Sequence, residues 1–184
     1  RRIAAHHLGA LGDKSGVEQM KQDLKKLAPL NGKRDSLDAK GHAQLEEALE
    51  VAMVLGELGD ASAYPLASHL VVNGTAQEKW RSIVVLLRIA NTDNAALKAA
   101  GMDPIGLLKE IAVHEEDDEV FFMFLDRVHK ILRSRPDMID LLALAKINIH
   151  HQTRPSNGPY QSRYTRAHGF HQQAVKDRNS PYEW

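Results

Sequence analysis

The sequence predicts an all-α fold, a helical-repeat solenoid of stacked helix pairs, and three observations lead there. Residues 5 to 13 read AHHLGALGD and residues 52 to 60 read AMVLGELGD, so Ala, Leu, Gly, Leu, Gly and Asp recur at an offset of 47 residues. That offset is at the upper end of the period of paired-helix repeats. In each copy the apolar residues, Ala5, Leu8 and Leu11 or Ala52, Leu55 and Leu58, fall at i, i+3 and i+6 and give a helix one apolar stripe. No segment reads persuasively as a strand.

The first helix of each unit carries a glycine in its middle, Gly9 and Gly56. Such a glycine costs about 1 kcal/mol against alanine, and its recurrence is explained if a neighbouring helix passes close to the backbone there. Gly12 and Gly59 then end these helices in the left-handed conformation. Asp13 and Asp60 begin to cap the next helix of each unit. The second helices place Val17, Met20 and Leu24, matched by Tyr64, Ala67 and Val71, toward the core, with Pro65 in a first turn that needs no backbone donor.

Between the two units, residues 28 to 41 (APLNGKRDSLDAKG) read as an insertion or a long inter-repeat loop, ahead of a long helix from Asp38 to Leu58. A third unit follows at an offset of 31, with Ile83, Leu86, Ile89 and Asn91 in place of Ala52, Leu55, Leu58 and Asp60. Its second helix, near Asn94 to Ala100, is short. Asp103-Pro104 opens a further helix to residue 114, as an N-cap with proline at the first helical position. Asp117 or Asp118 starts a longer one carrying Val120, Phe121, Phe124, Leu125, Val128, Ile131 and Leu132. Pro136 opens the last, with Ile139, Leu142 and Ile147. The expectation is about nine helices in a repeat domain over residues 1–148, followed by an irregular tail over residues 149–184, draped on that domain or disordered.

Lysine plus arginine equals aspartate plus glutamate at 24 each, so no global field recruits nucleic acid or an anionic membrane. The absence of cysteine excludes a disulfide framework, thiolate metal sites and a cysteine nucleophile. No apolar run approaches the roughly 18 residues of a membrane span, and no membrane partner is expected. Arg1-Arg2-Ile3-Ala4-Ala5 leads into an amphipathic helix and not into a cleavable apolar segment. A cytoplasmic location is expected, with a segment upstream of the chain.

Leu55-Gly56-Glu57-Leu58-Gly59-Asp60 followed by Ala63-Tyr64-Pro65 resembles the bilin-lyase-type HEAT-like repeat, whose pattern runs A-x-x-L-G-x-L-G-D-x-x-A-V-P-x-L. Residues 4 to 24 match it again, with Gly16 in place of the alanine and Glu18 in place of the proline. The third unit matches in its apolar positions alone, so the resemblance covers about a quarter of the chain. It implies a right-handed superhelix whose second helices line a concave side. Most members of the family look like interaction scaffolds and a minority are enzymes or enzyme subunits, so fold does not choose among them.

Catalytic and metal constellations are sparse. Di-iron hydroxylases of similar fold repeat several His-Glu pairs, whereas His114-Glu115 stands alone, and one pair cannot hold two metals. His6 and His7 are adjacent on a helix and point about 100° apart. His150, His151, His168 and His171 have neither cysteine nor a nearby acidic ligand beside them. No metal, no cofactor and no catalytic residue is therefore assigned. The acidic run Glu115 to Glu119 reads as dipole stabilisation at a helix start. In the tail, basic residues interleave with Tyr160, Tyr164, Phe170, Tyr182 and Trp184, a composition that can stack on single-stranded nucleic acid or fasten the tail to its own domain. No basic stripe repeats along the inner helices, which disfavours a DNA glycosylase and nucleic acid as the partner.

The expected function is a protein-interaction scaffold that uses the concave face, with a protein partner. The alternatives are a bilin-lyase-type enzyme or subunit acting on a tetrapyrrole or a protein-bound prosthetic group, and nucleic-acid binding through the tail. The candidate binding face lies beside the core positions of the second helices. It carries Gln19, Gln22, Asp23 and Lys26 in the first unit, matched by Leu66, His69, Leu70 and Asn73 in the second. Leu97 follows Leu66 at the third unit's offset. Leu66 and Leu70 are four apart and form one ridge with His69 beside it. Exposed, that ridge is an apolar anchor with a polar surround; covered by the third unit, it belongs to the core.

Overall fold

The computed structural model describes residues 11, 14–27, 37–92, 97, 99–132 and 136–151. Among them are seven α-helices and no strand, in agreement with the all-α class. A 3-10 turn, Lys14–Gly16, leads into α1 (Val17–Leu27), which is followed by α2 (Ala39–Glu57), a second 3-10 turn (Ala61–Ala63), α3 (Tyr64–Asn73) and α4 (Ala76–Ala90). Then come α5 (Pro104–His114), α6 (Asp118–Ile131) and α7 (Pro136–His151). The expected helix over residues 5 to 11, most of the short helix near Asn94 to Ala100, and the tail beyond His151 lie outside the described residues. The helix α7 runs past the domain boundary expected at residue 148. Contacts divide the chain into two compact units, residues 1–104 and 105–184, a division that the repeat pattern did not mark.

In the first unit the helices begin and end where the local chemistry directs. The side chain of Asp38 accepts from the backbone N of Gly41 at 2.7 Å and caps α2. Leu58 is the C-cap, so the helix expected from Asp38 to Leu58 has those two residues as its caps. Thr75 and Glu78 form a reciprocal capping box at the start of α4: Thr75 N donates to Glu78 Oε2 at 2.7 Å, and Glu78 N donates to Thr75 Oγ1 at 3.4 Å. Each such pair satisfies two donors that a helix start otherwise leaves open.

The end of α2 is a Schellman turn. Gly59 has φ +71°, its N donates to Gly56 O at 2.9 Å, and Asp60 N donates to Leu55 O at 2.8 Å. A side chain at Gly59 would be strained by that φ and would collide with the methyl of Thr92, at the end of α4. Gly56 has the role its recurrence suggested. A Cβ placed there would stand 3.2 Å from Val85 Cγ1 and 3.3 Å from Val85 Cα, so α4 runs against the bare backbone of α2.

Around that crossing, α1 packs on α2, α3 packs on α4, and α2 packs on α4. The helix α4 is the most enclosed: six consecutive residues from Ser82 to Leu87 are buried, which takes in every face of a helix. Arg81 Nη1 reaches Glu46 Oε2 at 2.6 Å and joins α4 to α2 at the rim.

The apolar stripes are mostly as read, with corrections at their ends. Ala52 and Leu55 are fully buried, as are Leu86 and Ile89, and Ile83 nearly so. Leu58, expected in the core, is half-buried because it sits at the C-cap, where the chain turns away from the helix. Leu11, at the matching position, is 84% exposed. Val17 and Tyr64, at the starts of α1 and α3, are also half-buried.

Pro104, the last residue of the first unit, and then Asp118 and Pro136 in the second begin the last three described helices, as the sequence predicts. Asp117 caps α6, its Oδ1 accepting from Val120 N at 3.0 Å. Phe121, Phe124, Leu125 and Val128 form the buried side of α6, which packs on α7, where Leu141, Leu142 and Ala145 are buried.

The contrast between a core and a cap leucine is directly testable. Leu55→Ala is expected to cost about 2–5 kcal/mol in urea unfolding, and Leu58→Ala less than half of that. Equal losses at the two positions would contradict this placement.

Candidate functional site

The candidate face falls on α1 and α3, both in the first compact unit, and the structure splits it. On α1, Gln19, Gln22 and Lys26 are exposed as expected, and Lys25 is exposed beside them. On α3, Leu66 and Leu70 are 1% and 2% exposed and belong to the core. The apolar anchor is thus corrected to a packing element. The physical reason is the width of the buried face: Leu66, Ala67, Leu70 and Val71 are all buried, and α4 is the most extensive neighbour of α3. Leu97 is buried too, at 3% exposure.

One matched pair of positions on these two helices is alike in burial. Asp23 of α1 and Leu70 of α3 are matched at the offset of 47, and both are buried. Gln19, matched to Leu66, donates from Nε2 to Asp23 Oδ1 at 3.0 Å. An i, i+4 polar pair therefore occupies on α1 the positions that two leucines hold on α3. Toward solvent α3 shows His69 and Ser68, half-buried, with Asn73 and Val72 exposed near its end and Pro65 exposed in its first turn. Asn73 Nδ2 donates to His69 O at 3.1 Å.

A connection that the sequence did not reveal ties this face to the turn after α2. Lys21 Nζ lies 2.9 Å from Asp60 Oδ2 and 3.1 Å from Glu18 Oε1. Asp60 Oδ1 also accepts from Ser62 N at 2.9 Å, so one carboxylate caps the 3-10 turn and holds α1. Partial burial works to raise the Asp60 pKa, but hydrogen bonds from Ser62 and Lys21 outweigh it and hold the carboxyl below its usual value. Hydrogen bonds to Asp60 and Glu18 raise the Lys21 pKa.

The other candidates resolve into local roles. His114 Nε2 is 3.5 Å from Glu110 Oε2 on its own helix, and Glu115 Oε1 accepts from Asp117 N at 2.9 Å. The acidic run thus supplies the N-cap and first turn of α6. Among the described residues, no three histidine, aspartate or glutamate side chains converge on a point suited to a metal. His6, His7, His168 and His171 lie outside the described residues, as do the side chains of His150 and His151. No helix among the described residues is long and apolar enough to cross a membrane. Comparison with family models, curated proteins and solved structures finds no match to this chain.

These placements carry two expectations. Leu70→Glu would bury a carboxylate without a partner, so it is expected to abolish the cooperative thermal transition of the first unit; a folded variant with an unchanged transition would contradict the buried assignment. The second concerns acid. A carboxylate whose folded pKa is depressed contributes stability above its unfolded pKa and loses it as pH falls through the folded value. Stability is therefore expected to decline on the acid side, and Asp60→Asn to flatten that decline when urea unfolding is followed from neutral pH downward.

Proposed function

We propose that the chain is a protein-interaction scaffold of the HEAT-like, bilin-lyase-type repeat class, a right-handed solenoid that docks a protein partner on its second-helix face. The observation that carries the reading is a packing relation that occurs twice. The second helix of one unit lies on the first helix of the next, α1 on α2 and α3 on α4, while the first helices pack on each other, α2 on α4. A relation of this kind propagates from unit to unit and presents the same helix of each to a partner, which is how repeat proteins build extended binding surfaces.

The docking face proposed is polar, comprising Gln19, Gln22 and Lys26 of α1 with His69 of α3. Leu66 and Leu70 act beneath it by fixing α3. Such a surface resembles the hydrogen-bonding rim of an interface more than its apolar centre, so orientation and salt-sensitive association dominate over hydrophobic anchoring.

Affinity capture from the native lysate tests this. The double variant Gln22→Glu with Lys26→Glu alters only exposed positions and is expected to keep the helical circular dichroism while lowering capture at least about tenfold, a loss of about 1.4 kcal/mol. Undiminished capture by the folded variant would remove the α1 face from the binding surface.

A further inference from the structure

We infer that α1 is a separately opening element of the first unit, latched to the rest of it by Lys21 on Asp60. The helix has 11 residues, a length at which an isolated helix is marginal in water, so its persistence depends on docking. Docking buries Met20, Leu24 and Leu27, and among the described helices α2 is the one on which α1 packs. The helices α2, α3 and α4 are bound to one another more thoroughly. Each packs on the other two, and Arg81 adds ion pairs from α4 to Glu46 and Glu50 of α2.

The fixed end of the latch is on that side. Asp60 is held by its own backbone bond to Leu55 and by its side-chain bond to Ser62, so it does not need α1 to keep its position. The movable end is Lys21, midway along α1, with its ammonium between Asp60 and Glu18. Both partners of the cross-helix pair are partly shielded, at 30% and 19% exposure, where an ion pair is screened less than on open surface. Release of Lys21 lowers the cost for α1 to lift and lose helicity as one cooperative step, uncovering the side of α2 on which it lay, while α2, α3 and α4 stay packed. Sub-global opening of this kind is a property of helices that, like α1 among the described helices, pack chiefly on one neighbour where α3 and α4 pack on two.

Native-state hydrogen exchange on the full chain tests the latch with Lys21→Met, Asp60→Asn and the double variant. Asparagine keeps an acceptor for the Ser62 cap, so Asp60→Asn removes the charge and leaves the turn. Each single variant is expected to speed exchange of the α1 amides up to about fivefold, the scale of one ion pair, with α4 amides unchanged and no further gain in the double variant. Unchanged exchange in α1 would overturn the latch, as would additive effects in the double variant. Equal acceleration in α1 and α4 would overturn the separate opening and make the event global.

Discussion

The first unit depends on how α2 stops. A helix leaves its last carbonyls without partners, and here the left-handed Gly59 lets the next two backbone donors turn back onto Gly56 and Leu55. The chain leaves α2 with Asp60 already pointed at the following turn, and α3 starts four residues later at Tyr64. Because the turn is this short, α3 returns beside α2 and both can share α4. The same glycine that permits the backbone also leaves room for Thr92, so the end of α2 and the end of α4 meet at one point. Gly56, one turn earlier, sets the separation of the two helices through Val85. Helix termination and helix packing are thus fixed by neighbouring residues on a single turn of chain.

Most of this could be read in the sequence because the forces are local. A left-handed C-terminal glycine, an aspartate cap, a proline in a first turn and an apolar stripe act over at most a few residues, and each leaves a signature at fixed spacing. Gly59, Asp60, Pro65, Asp117 and Pro136 are of this kind. The Thr75-x-x-Glu78 capping box carries an equally local signature, although the repeat pattern does not contain it. The ion pairs are different. Lys21 with Asp60, and Arg81 with Glu46, join residues far apart in sequence. Charged residues are common on every helix, and nothing in their spacing selects one partner from the many available.

The candidate face shows why burial on α3 was harder to read than on α1. In α1 the polar residues separate the apolar ones, so its register is unambiguous. In α3 the run YPLASHLVVN is apolar on more than one side, and pattern alone cannot say which side a neighbour will cover. The choice is made by α4, which packs on α3 more extensively than any other described helix and leaves Val72 outside and Leu66 and Leu70 within. For the docking face proposed above, specificity would then rest on amides, a lysine and an imidazole. Such groups are already solvated before a partner arrives, so they discriminate by orientation and not by release of water from an apolar cleft.

The double duty of Asp60 also limits how the chain can vary in length. Its backbone closes α2, and its carboxylate both opens the following turn and receives Lys21. One residue inserted between Gly59 and Asp60 would keep every side chain in the sequence and still separate these tasks, since no single position would then stand at the end of one helix and the beginning of the next. Deletion of a residue would remove the left-handed step itself. Gains and losses of residues at this hinge are therefore not neutral in the way they are in an ordinary surface loop. Divergence among chains built on this plan must be absorbed elsewhere, leaving the interval from Leu55 to Ser62 as a ruler of constant length.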